Sequence, residues 1–206
     1  IEKAKDALLD GIANSDMQIV DFIVYGDDST YENVDKLVSD ERVRNADIIF
    51  GVGGGRAVDT CKVVADKLDK PLFTFPTLGS NCAAVTAICV MYNEDHTFKD
   101  YYYLDKPADH TFIDTQIIAE SPEDLFWAGI GDALSKECEA VYSSQGVNLD
   151  HTPLMGVGIS KVCTEPLIKY GKKALEDCKN NTESEELKQV VLDIIISTGL
   201  VSNLTT

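Results

Sequence analysis

A chain of 206 residues with 44% hydrophobic and 26% charged side chains can bury a sizeable core in one or two domains. Its formal net charge of −17, with no basic run to offset it, argues against a nucleic acid or an anionic membrane surface as partner. No apolar stretch approaches the ~20 residues of a membrane helix and no signal peptide opens the chain; a cytoplasmic location is expected from the six cysteines, which read as reduced thiols.

Taken in chain order, the elements alternate. Residues 1–12 read as the tail of a helix, with Ile1 already inside its pattern (Ala4, Ala7, Leu8). "MQIVDFIVYG" (17–26) predicts a strand ending in the turn Gly26-Asp27-Asp28-Ser29, where the two acids read as turn residues. Residues 30–45 predict one helix with Ser29 or Thr30 as N-cap. "DIIFGV" (47–52) is a short, wholly apolar strand of the kind buried in parallel sheets. Then come Gly53-Gly54-Gly55, a helix over 56–68 and a strand "PLFTFPT" (71–77). Strand, helix, strand in this rhythm predicts a doubly wound, mostly parallel α/β domain.

From 83 to 114 two strands, "TAICVMY" and "KDYYYL", flank the turn "NEDHTF" and are expected to pair antiparallel, while "HTFIDT" returns to the sheet. From Ser121-Pro122, a Ser cap followed by Pro at the first helical position, the chain reads helical to its end. The acidic stretch "EDCKNNTESEE" (176–186) reads as an interhelix loop. The predicted division is an α/β domain over 1–115 and a helical domain over 116–206. The final "LDIIISTGLVSNLTT" stops inside an apolar helical pattern without a capping signal, so both ends suggest a fragment. Six cysteines (Cys61, Cys82, Cys89, Cys138, Cys163, Cys178) include no C-x-x-C pair, which argues against a zinc ribbon, and they read as reduced, largely buried thiols.

The glycine triplet carries the first functional signal. A phosphate cradle needs backbone N–H groups aimed at an anion, no Cβ in the way and a helix N-terminus behind it. A strand-to-helix turn with no ligand needs small residues too, and G-x-G-x-x-G is absent, so the triplet alone leaves the two readings even. Asp59 follows one helical turn on, and Pro76-Thr77-Leu78-Gly79-Ser80-Asn81 places a polar loop at the same carboxyl edge of the sheet. Ligands bind along that edge in open α/β sheets, which favours a nucleotide-phosphate site. A second signal lies in "AGIGDALSKECEA": two mid-helix glycines, Gly129 and Gly131, suggest close approach of something to that backbone, and Asp132, Lys136 and Glu139 share one helical face. That trio is either functional or only a helix-surface pairing.

"GVGGGRAVDTCK", "PT" at 76–77 and "D-T-Q-I-I-A-x-S-P-x-x-L-x-x-A-G-I-G-D-A-L" together resemble the iron-containing (group III) alcohol dehydrogenases, closest to their glycerol dehydrogenase-like branch. The resemblance spans essentially the whole chain. It implies the dehydroquinate synthase-like architecture, a Rossmann-like sheet domain followed by an all-α domain. It also implies an oxidoreductase that moves hydride between a small alcohol or polyol and NAD or NADP, with one divalent metal ion (Zn, Fe or Mn), in a homo-oligomer. By this resemblance Gly53, Gly54, Gly55, Arg56, Asp59, Thr77, Ser80, Thr86, Ile88 and Tyr92 would meet the cofactor, Asp132 would ligate the metal, and Asn81 and Cys82 would face the substrate.

The chain departs from the family pattern in three ways. The family's two histidine ligands come from helices beyond Thr206, and His96, His110 and His151 do not stand in that context. Cys82 takes the place of an acidic substrate-contacting residue, and Arg56 that of the usual Ser or Lys. The strand that helps choose NAD over NADP would precede Ile1. Alternative readings are a dehydroquinate synthase-like lyase, also NAD- and metal-dependent, and a non-catalytic nucleotide-binding module.

Overall fold

Residues 2–205 are described in the structure, a computed structural model of the chain. Ile1, read as helical, and Thr206 lie outside the described residues. Helix α1 (Glu2–Ile12) sets Ala4 and Leu8 against Phe75 and Ile117. The strand expected over 17–26 does not form: the segment has no regular structure and pairs with no strand among the described residues. Alternation alone does not make a strand. Here the segment lines an open cleft, and its Val20 and Val24 stay largely exposed.

The helix expected over 30–45 is two helices, α2 (Tyr31–Ser39) and α3 (Glu41–Asn45). Asp40 breaks the run because its extended backbone lets its carboxylate accept the Arg42 N–H at 2.9 Å and cap the second helix. Of the two candidate caps, Thr30 serves α2, accepting from the Asn33 N–H.

The sheet follows the predicted pattern. β1 (Ile49–Gly53), β2 (Leu72–Pro76) and β5 (His110–Thr111) lie parallel in the order β1-β2-β5, with α4 (Gly55–Lys67) crossing over between the first two. β3 (Ile88–Tyr92) and β4 (Phe98–Tyr103) form the expected antiparallel pair. Cys89 and Met91 of β3 pack with Val63 and Val64 of α4.

The helical part comprises α5 (Thr115–Ala119), α6 (Glu123–Ser143), α7 (His151–Ser160), α8 (Thr164–Lys179), α9 (Glu185–Leu192), one π-helical turn (Asp193–Ser197) and α10 (Thr198–Thr205). Ser121 is not a side-chain cap: its hydroxyl is buried without a partner, and Pro122 holds the N-cap position of α6. Asp114 does cap α5, accepting from Gln116 and Ile117. The expected loop 176–186 shrinks to 180–184, because Asp177 is held by Lys173 at 2.5 Å and by the Ser184 hydroxyl at 2.6 Å.

One compositional expectation fails. The continuous helical run Glu185–Thr205 is 21 residues long and, by length and hydropathy alone, apolar enough to cross a membrane. Its Leu187, Val190, Val191, Ile194 and Ile195 are instead the core of the helical part, packed with Phe126, Ala133, Leu167 and Ala174. Val58 and Ala84 join the same cluster, so the α/β and helical parts share one core.

The mid-helix glycines have different reasons. A Cβ on Gly129 would lie 2.0 Å from the Gly79 carbonyl oxygen, whereas one on Gly131 would meet nothing within 4 Å. The close approach read from the sequence is thus real at Gly129, where α6 rests on the 77–82 loop. Gly129→Ala is expected to destabilise by about 1–3 kcal/mol through overpacking, and Gly131→Ala to stabilise by about 1 kcal/mol through helix propensity. Denaturant midpoints moving in opposite directions are the expected result. Equal shifts would refute the packing argument.

Candidate cofactor cleft

The glycine turn is built by the end of β1 meeting the start of α4. Gly53 sits at φ +145°, a region L side chains rarely adopt, and a Cβ there would lie 2.8 Å from that of Ala57. A Cβ on Gly54 would meet Leu78, and one on Gly55 would meet Asn81, each at 2.7 Å. Small residues are therefore needed for packing whether or not a ligand binds. The second observation is electrostatic. Gly54 is the N-cap of α4 and offers no side-chain acceptor, so the helix begins uncapped at the wall of a cleft of about 1260 Å³. An uncapped N-terminus with free N–H groups and a positive dipole end suits an anion. The cleft exceeds the ~300–1,000 Å³ common for small-ligand pockets.

Arg56, in the first turn of α4, lines the cleft with its side chain half exposed. Its Nη1 donates to Asp28 Oδ2 at 2.8 Å, and its guanidinium lies 4.7 Å from the Tyr92 ring centroid. Asp28 is not a simple turn residue. It is 1% exposed, accepts the Ser29 N–H at 2.8 Å, and meets His96 Nδ1 at 2.6 Å.

Asp59 also reaches the cleft wall, but both carboxylate oxygens are engaged: Oδ1 with Lys62 Nζ at 2.8 Å, Oδ2 with the Val90 N–H at 3.1 Å. Burial pushes the Asp59 carboxyl up, and the Lys62 ammonium pulls it back. Sequence reasoning missed Lys62. Its side chain is fully buried, and Nζ also donates to the carbonyls of Ala83 (2.9 Å) and Ile88 (2.6 Å) and to the Thr86 hydroxyl (3.3 Å). The available signal was its spacing, four residues after Val58 and three before Ala65 on the apolar stripe of α4.

Ser80, Thr86, Ile88 and Tyr92 line the same cleft, and Thr77 does not. Thr77 instead donates its N–H to the Gly53 carbonyl at 3.1 Å, tying the 77–82 loop to the glycine turn. Asn81 and Cys82 reach the cleft as well, with Asp132 and Lys136 of α6. Asn81 Oδ1 accepts the Ala83 N–H at 3.0 Å. Burial raises the Cys82 thiol pKa, against a lowering hydrogen bond with Thr198, so this wall carries a neutral thiol. Desolvation likewise raises the Asp132 carboxyl, with Lys136 lowering and Glu139 raising it. For Lys136 desolvation works against the charge, yet Asp132 and Glu139 outweigh it and its pKa rises. Lys136 and Glu139 form the helix-surface pair anticipated from their spacing, at 3.1 Å.

The two groups implied for this cleft fit unequally. The uncapped glycine turn suits a dinucleotide phosphate. For a metal, no group of three or more His, Cys, Asp or Glu side chains comes together among the described residues, and Asp132 lines the cleft outside any such group. His96 is bound to Asp28, and His110 meets Phe73 edge to face with ring centroids 4.8 Å apart.

Comparison with known proteins gives the family and the fold. The family model for iron-containing alcohol dehydrogenases matches residues 2–115. Glycerol dehydrogenase of Thermotoga maritima is 32% identical over 177 residues, covering 84% of this chain and 48% of the relative. The crystal structure of glycerol dehydrogenase from Schizosaccharomyces pombe superposes with a TM-score of 0.85 at 27% identity, over 98% of this chain and 52% of that one. Sulfoacetaldehyde reductase from Bifidobacterium kashiwanohense, solved in complex with NAD+, shares the fold at 17% identity with a TM-score of 0.78, over 100% of this chain and 57% of its own. The chain spans about half the length of the curated relatives it matches.

Proposed function

The chain belongs to the iron-containing alcohol dehydrogenase family, and on that premise we propose that the whole protein transfers a hydride between a small, glycerol-like alcohol or polyol and NAD or NADP. The observation that carries this reading is the uncapped N-terminus of α4 behind Gly53-Gly54-Gly55, open to a cleft that Asp132 also lines. When bound, the nicotinamide supplies the hydride acceptor.

The chain's own residues do the holding. Gly54, Gly55 and Arg56 present N–H groups and a cation to the dinucleotide phosphates, while Ser80, Thr86, Ile88 and Tyr92 line its length. Asp59 acts through Lys62, keeping the 83–88 segment on α4 so that this wall is in place. Asn81 and Cys82 face the substrate. A divalent metal (Zn, Fe or Mn) enters the reading through the family, with Asp132 as the ligand that the resemblance gives it. The domain boundary near residue 115, a homo-oligomeric state and, from six unpaired cysteines, a cytoplasmic location complete the proposal.

The test is to assay the complete protein for alcohol-dependent reduction of NAD+ and NADP+, with glycerol, other polyols and simple alcohols, and with Zn²⁺, Mn²⁺ or Fe²⁺ added. Turnover with at least one polyol is expected. Cofactor binding without turnover of any alcohol would overturn the dehydrogenase reading and favour a binding module. Formation of dehydroquinate from its heptulosonate phosphate precursor would favour the lyase.

A further inference from the structure

We infer that Asp28 is a positioning residue that fixes the Arg56 guanidinium over the glycine turn as a preset phosphate ligand, so that cofactor affinity depends on a side chain outside the cleft. The inference rests on the dinucleotide reading above and deepens it.

The geometry favours a preset cation over a loose one. Asp28 is buried and lies between two elements, with Oδ2 taking Arg56 Nη1 at 2.8 Å and His96 Nδ1 at 2.6 Å. Oδ1 is fixed by the Ser29 N–H at 2.8 Å. The carboxylate therefore has little freedom to turn, and its two side-chain partners come from α4 and from the turn between β3 and β4. Tyr92 packs against the guanidinium, whose Cζ lies 4.7 Å from the ring centroid, and adds a cation–π contact to the carboxylate's hold.

The Arg56 side chain makes no other hydrogen bond among the described residues, so the rest of its planar fork is left for a ligand. Its side chain is 50% exposed, at the cleft wall and one residue into the helix whose N-terminus is uncapped. A guanidinium can hold a carboxylate on one edge and a phosphate on another, which a lysine ammonium at this position would do poorly. Because the group is already ordered, less side-chain entropy is lost when an anion arrives.

Binding measurements on the complete protein test this with two probes, ADP-ribose, which carries the pyrophosphate, and adenosine, which does not. Arg56→Gln, Arg56→Lys and Asp28→Asn are each expected to weaken ADP-ribose about tenfold, the scale of one lost charge-assisted contact. Adenosine affinity should stay within about twofold in every variant. The Asp28→Asn/Arg56→Gln double variant should be no weaker than Arg56→Gln alone, because Asp28 acts through Arg56. ADP-ribose affinity unchanged in Arg56→Lys or Arg56→Gln overturns the inference, as does an equal loss for both probes, which marks a general structural role. Should buried Asp28→Asn fail to fold, Arg56→Lys decides, since it keeps the charge and loses the fork. A wild-type protein that binds neither NAD+ nor ADP-ribose would instead sink the cofactor reading itself.

Discussion

Lys62→Met is expected to lower the stability of the complete protein by about 3–5 kcal/mol, the range seen when one partner of a buried ion pair is removed. The Lys62 side chain is 0% exposed and that of Asp59 7% exposed, so the substitution leaves a carboxylate in the interior with only the Val90 N–H to stabilise it. It also leaves the Ala83 and Ile88 carbonyls without the donor that reaches them at 2.9 and 2.6 Å. Two further results separate this account from a simple packing defect. The loss should shrink at low pH, where an unpaired buried Asp59 takes up a proton and sheds its charge. Adding Asp59→Asn should recover part of the loss, because the stranded charge is then gone. A loss below about 1 kcal/mol, the worth of an exposed pair, would show that Lys62 is not the tie between α4 and the 83–88 segment.

That tie marks the boundary of what the sequence discloses. Periodicity locates β1, α4, β2 and the β3–β4 pair because each is decided by local pattern and nearby turn residues. The segment 17–26 has the same alternation and forms no strand, since pairing depends on a neighbouring backbone that no local pattern encodes. At the site, the glycines, Arg56, Ser80, Asn81, Cys82 and Asp132 were legible from the motifs, and all reach one cleft. The helpers were not. Lys62 looks like a surface lysine until its phase on α4 is counted, and Asp28 looks like a turn acid until α4 and the β3–β4 turn are brought against it. Both are polar groups made tolerable in the interior by partners distant in sequence, and tertiary contact alone specifies such partners.

Asp193→Asn supplies a test of the opposite sign, a stabilising substitution whose size depends on pH. Asp193 is 3% exposed, starts the π-helical turn, and has Oδ2 without a hydrogen-bond partner. Burial raises its carboxyl to about 6 from the ordinary 3.8, with a Ser197 hydrogen bond only partly opposing. No cation answers it among the described residues; the nearby Cys163 thiol is itself raised to about 11, chiefly by burial and then by Asp193. A carboxyl whose pKa is raised on folding keeps its proton in the folded chain over a range where the unfolded chain has lost it. Stability therefore falls as pH climbs from about 4 to about 6 and stays lowered above that, by roughly 3 kcal/mol for a shift of this size. Asparagine has the same shape and no proton to lose. Its variant should match the parent near pH 4 and exceed it by about 2–3 kcal/mol near pH 8. Denaturant unfolding at the two pH values reads the difference directly, and a gain that is equal at both would place the effect in packing, not in the charge of a buried carboxylate whose Oδ2 has no partner among the described residues.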